Sequence, residues 1–508
     1  LNATIGRNIV ANGIGRLWSV LANIIFVPLY IRLMGGESYG LVVAYATLIA
    51  SLQVLDAGWS NLLSRQLALR AGRGGNQTGA SSANLSRTVE VISWATGIVV
   101  GTSIVVLAPS IADAWLITQS LHRGETIEAL RLIGAVVAIQ WPSMAYQGAL
   151  MGLQQQVRLN VVRIVMSSLQ AFGAACLLWK VSPTAQTYFV WILGVQTLNT
   201  FWMRRLMWGK LGLEDGVQPR FDWSEITGSW RFASGVAGIA LLASILTQAD
   251  KIVLSKTVPL AAFAIYGVAF TVCGVLNVIA GPVLQAVMPH LTQLSVHADD
   301  KGLRDTYLRS SQWVALLVVP AWMVLSFHSR ALMSLWMGAG AEADAAAGLL
   351  PLLALGSLLN AAVTLPYGLQ ISVGWTSLSV VKNIVAVAVS FPALLWAVGK
   401  YGTSGAAGVW VAINAGYMLL EVPIMHRRVL KGAMLPWYLY AFLAPLAVGM
   451  GAGWLSSYLA PSPTGSKIAK LAFLGVSFCL TTIAAAAVLP SVRHDLYKKL
   501  SHTVLARG

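Results

Sequence analysis

Asn8, Asn12, Arg16, Ser19 and Asn23 recur at steps of 4, 4, 3 and 4 through an otherwise apolar run, so on a helix they share one face. The pattern returns in Asn160, Arg163, Ser167 and Gln170, and again in Ser244, Gln248, Lys251 and Ser255, with Thr247 and Asp250 on the adjoining strip. Two later runs carry Asn360, Thr364, Tyr367, Gln370 and Asn414, Tyr417, Glu421; Gln53, Asp56, Ser60, Gln140 and Gln147 add polar groups to two more. The chemistry open to such a set is recognition, not bond making. Guanidinium and ammonium groups take phosphate or other anions, amides take hydroxyl-rich ligands, and enclosed carboxylates take protons or small cations.

A packing role competes with each of these readings, because Asn, Gln, Ser and Thr routinely cement helices within a membrane. The charges tip the balance. An Arg in the middle of a span costs from about 2.5 to more than 10 kcal/mol, so Arg16 is expected to face water, an acidic partner or an anion. For the others a structural use stays open: Lys251 could snorkel outward, Arg163 could snorkel to the cytoplasmic side, and Asp250 could neutralise Lys251. Glu421 and Lys382 fall near the ends of their runs, where interface anchoring is expected.

The elements that must hold these residues are membrane spans. Of 508 residues, 57% are hydrophobic and only 10% charged, which excludes a water-soluble fold. About fourteen runs are long and apolar enough to cross roughly 30 Å of hydrocarbon as helices. The expected fold is therefore an all-α integral membrane protein with two six-helix bundles around a central cavity and two peripheral C-terminal helices. The bundles cover residues 1–203 and 233–425, joined by a cytoplasmic linker at 204–232. The extra helices take 438–490, where polar residues are nearly lacking, and 491–508 forms a cytoplasmic tail. Within the linker, Asp222 stands three residues before Glu225 at capping-box spacing, among Trp223, Trp230 and Phe232, which predicts an amphipathic helix at the interface. The halves begin alike, each running through a short turn to a Tyr-Gly pair, Tyr39-Gly40 and Tyr266-Gly267, a half-repeat common in transporters.

The chain carries 34 Lys and Arg against 18 Asp and Glu, a formal charge of +16. In so apolar a protein the excess belongs in loops beside a lipid surface, and no nucleic-acid partner is expected. Placing most of these cations inside puts both termini in the cytoplasm. The chain opens at Leu1 with no basic-apolar-small leader before the first run, so the spans themselves are expected to direct it to the membrane.

Enzyme motifs are missing from the sequence. Gly74 to Ser81 has phosphate-loop glycine spacing but Ala80 where the lysine would stand. Cys176, Cys273 and Cys479 lie in separate runs, and the seven histidines have no ligand spacing, so neither metal nor other cofactor is expected. Asp56 and Asp250 are the candidates for coupling to H⁺ or Na⁺.

The stretch FVPLYIRLMGGESYG followed by LDAGWSNLLSRQLA, with Asn8, Pro28, Tyr30, Arg32, Gly35, Tyr39, Gly40, Asp56, Gly58 and Arg65, resembles the opening of the bacterial O-antigen flippases. These belong to the multidrug/oligosaccharidyl-lipid/polysaccharide (MOP) exporter superfamily. Tyr146 to Asn160 and Leu246 to Lys256, the latter followed by Tyr266, match in the same order. The resemblance implies an inner-membrane flippase that moves undecaprenyl-pyrophosphate-linked oligosaccharide to the periplasmic leaflet, with a polysaccharide polymerase and chain-length proteins as partners. The family commonly has twelve spans, and fourteen occur in its lipid II flippase relatives. On that reading Arg16, Lys251 and Arg163 hold the pyrophosphate, and Asn12, Asn23, Gln248 and Asn277 receive sugars. Two alternatives are a cation-coupled multidrug or lipid II exporter of the same superfamily and a membrane enzyme that polymerises or ligates lipid-linked glycans. The second would need a long external loop with catalytic Arg or His, whereas the longest here, about 329–346, is short.

Overall fold

A computed structural model describes residues 3–73, 77–211, 218–227, 230–375, 377–461 and 465–505. The side chains of 3–14, 16–17, 54–55, 57, 71–73, 77–80, 230–237, 239–240, 243, 496 and 499–505 lie outside the described residues. The described chain is helical throughout, its one bridge of extended backbone joining Ile117 and Pro259. It divides into two compact units, Leu1–Ala264 and Ile265–Gly508.

The first unit holds α1 (Ala3–Met34), α2 (Gly36–Arg73), α3 (Gln77–Ala114), α4 (Arg123–Gly152), α5 (Gln156–Lys180), α6 (Ala185–Leu211), the single turn α7 (Ser224–Thr227) and α8 (Trp230–Thr257). α3 packs on α4, α4 on α2 and α6, α1 on α5, and α2 on α8. Helix α8, expected at the head of the second bundle, thus belongs by its contacts to the first unit. Helix α9 (Leu260–Cys273) spans the division.

Close approach across α3–α4 depends on glycine. A methyl group added at Gly134 would lie 2.7 Å from the Gly101 carbonyl oxygen and 2.7 Å from Val105 Cγ2, inside contact distance. Overpacking of a closed seam costs about 1–3 kcal/mol, so Gly134→Val is expected to lower the thermal stability of the detergent-solubilised protein by that order. Polar ties fix the loop between these helices. Glu37 accepts hydrogen bonds from the Ser120 and Leu121 amides at 2.7 and 3.1 Å, and from the Gln119 amide and the Ser120 hydroxyl. Trp115 Nε1 donates to Ser255 Oγ at 2.9 Å, holding the far end of α8 to the same loop.

Among the described residues the predicted linker helix is the single turn α7. Asp222 accepts from the Ser224 hydroxyl and amide at 2.6 and 2.9 Å, and these two bonds hold its carboxyl below the usual carboxylate range. Glu225 does not close the capping box. It pairs with Arg70 at 2.6 Å and accepts from Ser81 Oγ at 2.7 Å, clipping the linker to α2 and α3. The turn is amphipathic in one residue: Ile226 is buried, while Phe221 and Trp223 stack on each other and stay exposed.

The second unit continues with α10 (Val275–Val296), α11 (Asp300–Phe327), α12 (Ser329–Met337), α13 (Ala341–Ser372) and α14 (Ser377–Gly416). A π-helical turn, Tyr417–Glu421, leads into α15 (Val422–Arg428). α16 (Met434–Pro436) runs through a second π-helical turn, Trp437–Leu443, into α17 (Ala444–Ser457), followed by α18 (Lys467–Val488) and α19 (Pro490–Leu505). α10 and α11 pack on α13, and α13 packs on α14. α17 and α18, the two additional C-terminal spans, lie on α11, with Gly449 admitting Val319 and Trp322. Arg309 of α11 pairs with Asp495 of α19 at 2.8 Å.

Among the described residues nine helices are long and apolar enough to cross a membrane, and the bent α2 makes a tenth. One of the nine, Ser377–Arg428, contains two of the expected spans, separated where Gly402 takes φ 57° and ψ −135°. The three remaining expected spans coincide with α1, α6 and α8. Several helices overrun the bilayer: at 1.5 Å per residue, the 38 residues of α3 extend about 57 Å.

Candidate functional site

The intramembrane ionisable groups fall into separate clusters. In the first unit, α2 bends by 53° between Gln53 and Gly58, and Asp56 sits in the bend. Its carboxylate is 2% exposed; Oδ2 accepts from the Ser60 hydroxyl one turn on, and Oδ1 has no hydrogen-bond partner among the described residues. A buried acceptor left open in this way is costly unless a cation or proton occupies it. Broken spans are also where transporters expose polar groups at membrane depth.

Asp250 and Lys251 are both buried in α8, with Lys251 Nζ 3.2 Å from Asp250 Oδ1 and 3.0 Å from the Thr247 carbonyl oxygen. The lysine therefore pairs locally and does not snorkel outward. The two coupling candidates do not meet. Ser244 of α8 bonds the Ala50 carbonyl of α2, and Gly40 faces Leu260, so these segments run antiparallel. That register carries Asp56 and Asp250 to opposite sides of the Ala50–Ser244 contact.

Arg163 joins α4 and α5. Its guanidinium donates to Asn160 Oδ1 at 3.1 Å and to Gln147 Oε1 at 3.3 Å. Asn160 in turn lies against Gly15 of α1, where no side chain could be accommodated, and Trp18 Nε1 donates to Ser168 Oγ at 2.8 Å on the same seam. Two polar stripes, those of α4 and α5, thus meet here, with α1 packed against them through Gly15 and Trp18. The side chains of Asn12 and Arg16 lie outside the described residues. Asn23 is exposed, and its amide turns back to the Ser19 carbonyl at 2.8 Å. Gln248 and, in the second unit, Asn277 are half-buried.

Two clusters bring together residues that the sequence does not pair. Glu90 of α3, 1% exposed, accepts from Tyr146 Oη at 2.7 Å, Arg204 Nε at 2.6 Å and Arg87 Nη1 at 2.8 Å. Its i−3 spacing to Arg87 was visible in the sequence; the approach of Arg204 from α6 was not. In the second unit Lys382 does not anchor at an interface. Its ammonium lies 2.8 Å from both carboxylate oxygens of Glu421 and over the rings of Tyr417 and Tyr367, 4.6 and 5.3 Å from their centroids. Gln370 Nε2 donates to Glu421 at 2.7 Å, completing a buried network at the π-helical turn. Asn360 and Asn414 bond each other at 2.8 Å, the packing use of such amides.

No group of three or more metal-binding side chains occurs among the described residues. The sequence family described as polysaccharide biosynthesis protein matches residues 30–340. No curated protein matches in sequence. The lipid II flippase MurJ, in an inward closed conformation, is similar in structure with a TM-score of 0.69 over 97% of this chain and 98% of its own, at 11% identity. An inward-facing multidrug resistance MATE family transporter of the MOP superfamily gives 0.63 over 81% and 96%, at 15% identity. A MOP superfamily transporter from Pyrococcus furiosus gives 0.56 over 86% and 94%, at 16% identity. The fold is that of the MOP transporters.

Proposed function

Because this chain belongs to the polysaccharide biosynthesis protein family, we propose that it is a flippase carrying undecaprenyl-pyrophosphate-linked oligosaccharide from the cytoplasmic to the periplasmic leaflet of the inner membrane. Such a substrate brings a pyrophosphate with about two negative charges and a hydroxyl-rich glycan, both of which need a polar route through lipid. The observation that supports this reading is the set of cationic and amide groups kept within spans of the first unit: Lys251 beside Asp250, and Arg163 with Asn160 and Gln147. Lys251 and Arg163, with Arg16, bind the pyrophosphate; Asn12, Asn23, Gln248 and Asn277 serve the sugars. Asp250 keeps Lys251 compensated until the anion arrives, which avoids a bare ammonium in the membrane.

Transport proceeds by alternating access, with bundle 1–203 rocking against bundle 233–425 across the seam at which α8 packs on α2. Asp56 and Asp250 couple the cycle to H⁺ or Na⁺. The protein performs no bond chemistry of its own and delivers the lipid-linked unit to the polymerase and chain-length proteins.

Charge-assisted hydrogen bonds contribute about 1.5–3 kcal/mol, so Lys251→Met and Arg163→Ala are each expected to slow flipping in proteoliposomes about 10- to 150-fold at matched protein content. Wild-type rates in both variants would overturn the assignment. Deletion of the gene is expected to accumulate the lipid-linked oligosaccharide on the cytoplasmic leaflet; accumulation of lipid II instead would favour the peptidoglycan-precursor reading of the same fold.

A further inference from the structure

Outside the clusters assigned to transport, the first unit carries a groove of about 1070 Å³ lined by Arg87, Arg158, Arg204 and Arg205 together with Trp202 and Trp208. Four guanidinium groups thus line one groove, where the start of α5 and the end of α6 meet residues near the start of α3. Glu90, beneath, is the acid that compensates them. It engages Arg87 and Arg204, each of which remains 41% exposed. Arg158 and Arg205 are exposed and have no carboxylate within ion-pair distance among the described residues, so the groove keeps a net charge of three.

The Glu90 network has a second consequence. By bonding Arg204 through Nε and Arg87 through one Nη, it fixes both side chains while leaving their other N–H groups unused by that carboxylate. A guanidinium held this way is pre-organised for the bidentate geometry that phosphate prefers. The indole walls argue against a freely diffusing anion. Trp202 and Trp208 are half-buried, Phe201 beside them is exposed, and the stacked Phe221–Trp223 pair lies in the adjoining linker. Aromatic residues next to arginines mark the depth at which a headgroup meets its acyl chains. The end of the unit concerned is the one that the Lys and Arg distribution assigns to the cytoplasm, where the leaflet is anionic.

We propose that this groove binds the phosphate headgroup of an anionic membrane phospholipid, independently of the transported substrate. The four arginines hold the phosphate, and the indoles pack against the glycerol and upper acyl chains. Occupancy ties α3, α5 and α6 together at the cytoplasmic surface.

The test uses the full-length protein in detergent, offered phosphatidylglycerol and phosphatidylcholine in mixed micelles and examined by native mass spectrometry. Phosphatidylglycerol is expected to stay bound in preference to phosphatidylcholine, and millimolar inorganic phosphate or pyrophosphate is expected not to displace it. Each cation within reach of the headgroup adds about 1 kcal/mol, so R158Q/R205Q should weaken retention about 30-fold, while K180Q at the opposite end of α5 changes nothing. Neither Arg158 nor Arg205 makes a side-chain bond among the described residues, so thermal unfolding of the double variant should match wild type. R205E alone gives an independent check and should also lose lipid. Equal retention of both lipids, unchanged retention in the double variant, or displacement by inorganic phosphate would each overturn the proposal, the last by identifying a free-anion site.

Discussion

Lys382→Ala is expected to destabilise the second unit by about 3–5 kcal/mol, the cost of leaving a buried carboxylate without its counter-charge. Glu421 is 3% exposed and would keep only the Gln370 amide as a donor. The reverse change should be milder. In Glu421→Gln the side-chain oxygen can still accept from Lys382, whose ammonium also rests against Tyr417 and Tyr367. Removing both charges in K382M/E421L should recover most of the stability, because a well-packed apolar pair avoids the desolvation of two ions. Thermal unfolding in detergent checks the order: K382A lowest, E421Q intermediate, K382M/E421L near wild type. If K382A unfolds with wild-type stability, water reaches Glu421 and the network is not closed.

Asp56→Asn is expected to separate stability from transport. The fold should tolerate the change, since the amide oxygen can still accept from Ser60 and a buried carboxylate with an open oxygen is removed. Transport should suffer. Filling an unsatisfied buried acceptor returns up to about 3 kcal/mol, so loss of that step should slow gradient-driven flipping by up to about 150-fold. The residual rate should be the same with and without an imposed H⁺ or Na⁺ gradient. A variant that keeps its gradient dependence would transfer the coupling role away from α2, with Asp250 the remaining candidate.

Hydropathy made the spans legible because insertion into lipid is decided locally, by some twenty residues at a time. The polar stripes were legible for a related reason: helical periodicity fixes which side chains share a face wherever the helix ends up. The Asp250–Lys251 pair was within reach too, since its partners are neighbours in sequence and the ion pair at 3.2 Å needs no distant element. The linker shows where local reading stops. Asp222 accepts from Ser224, two residues on and not the three that the spacing predicts, and Glu225 is drawn away by Arg70, 155 residues earlier.

Partner choice across helices was decided only in three dimensions. Glu421 and Lys382 looked like interface anchors because each stands near the end of an apolar run, yet their helices bring them together, and two opposite charges in a poor solvent hold each other more strongly than either would hold a headgroup. Glu90 likewise joins Arg204 across 114 residues. The 53° bend that holds Asp56 and the two π-helical turns have no periodic signature in the amino acids around them. What the sequence determined by itself was therefore the membrane, the helices and the inventory of charges placed within them. Which charges compensate one another, and which remain open to a ligand, depended on packing, because in a low-dielectric interior a few ångströms between side chains separate a neutralised pair from a binding site.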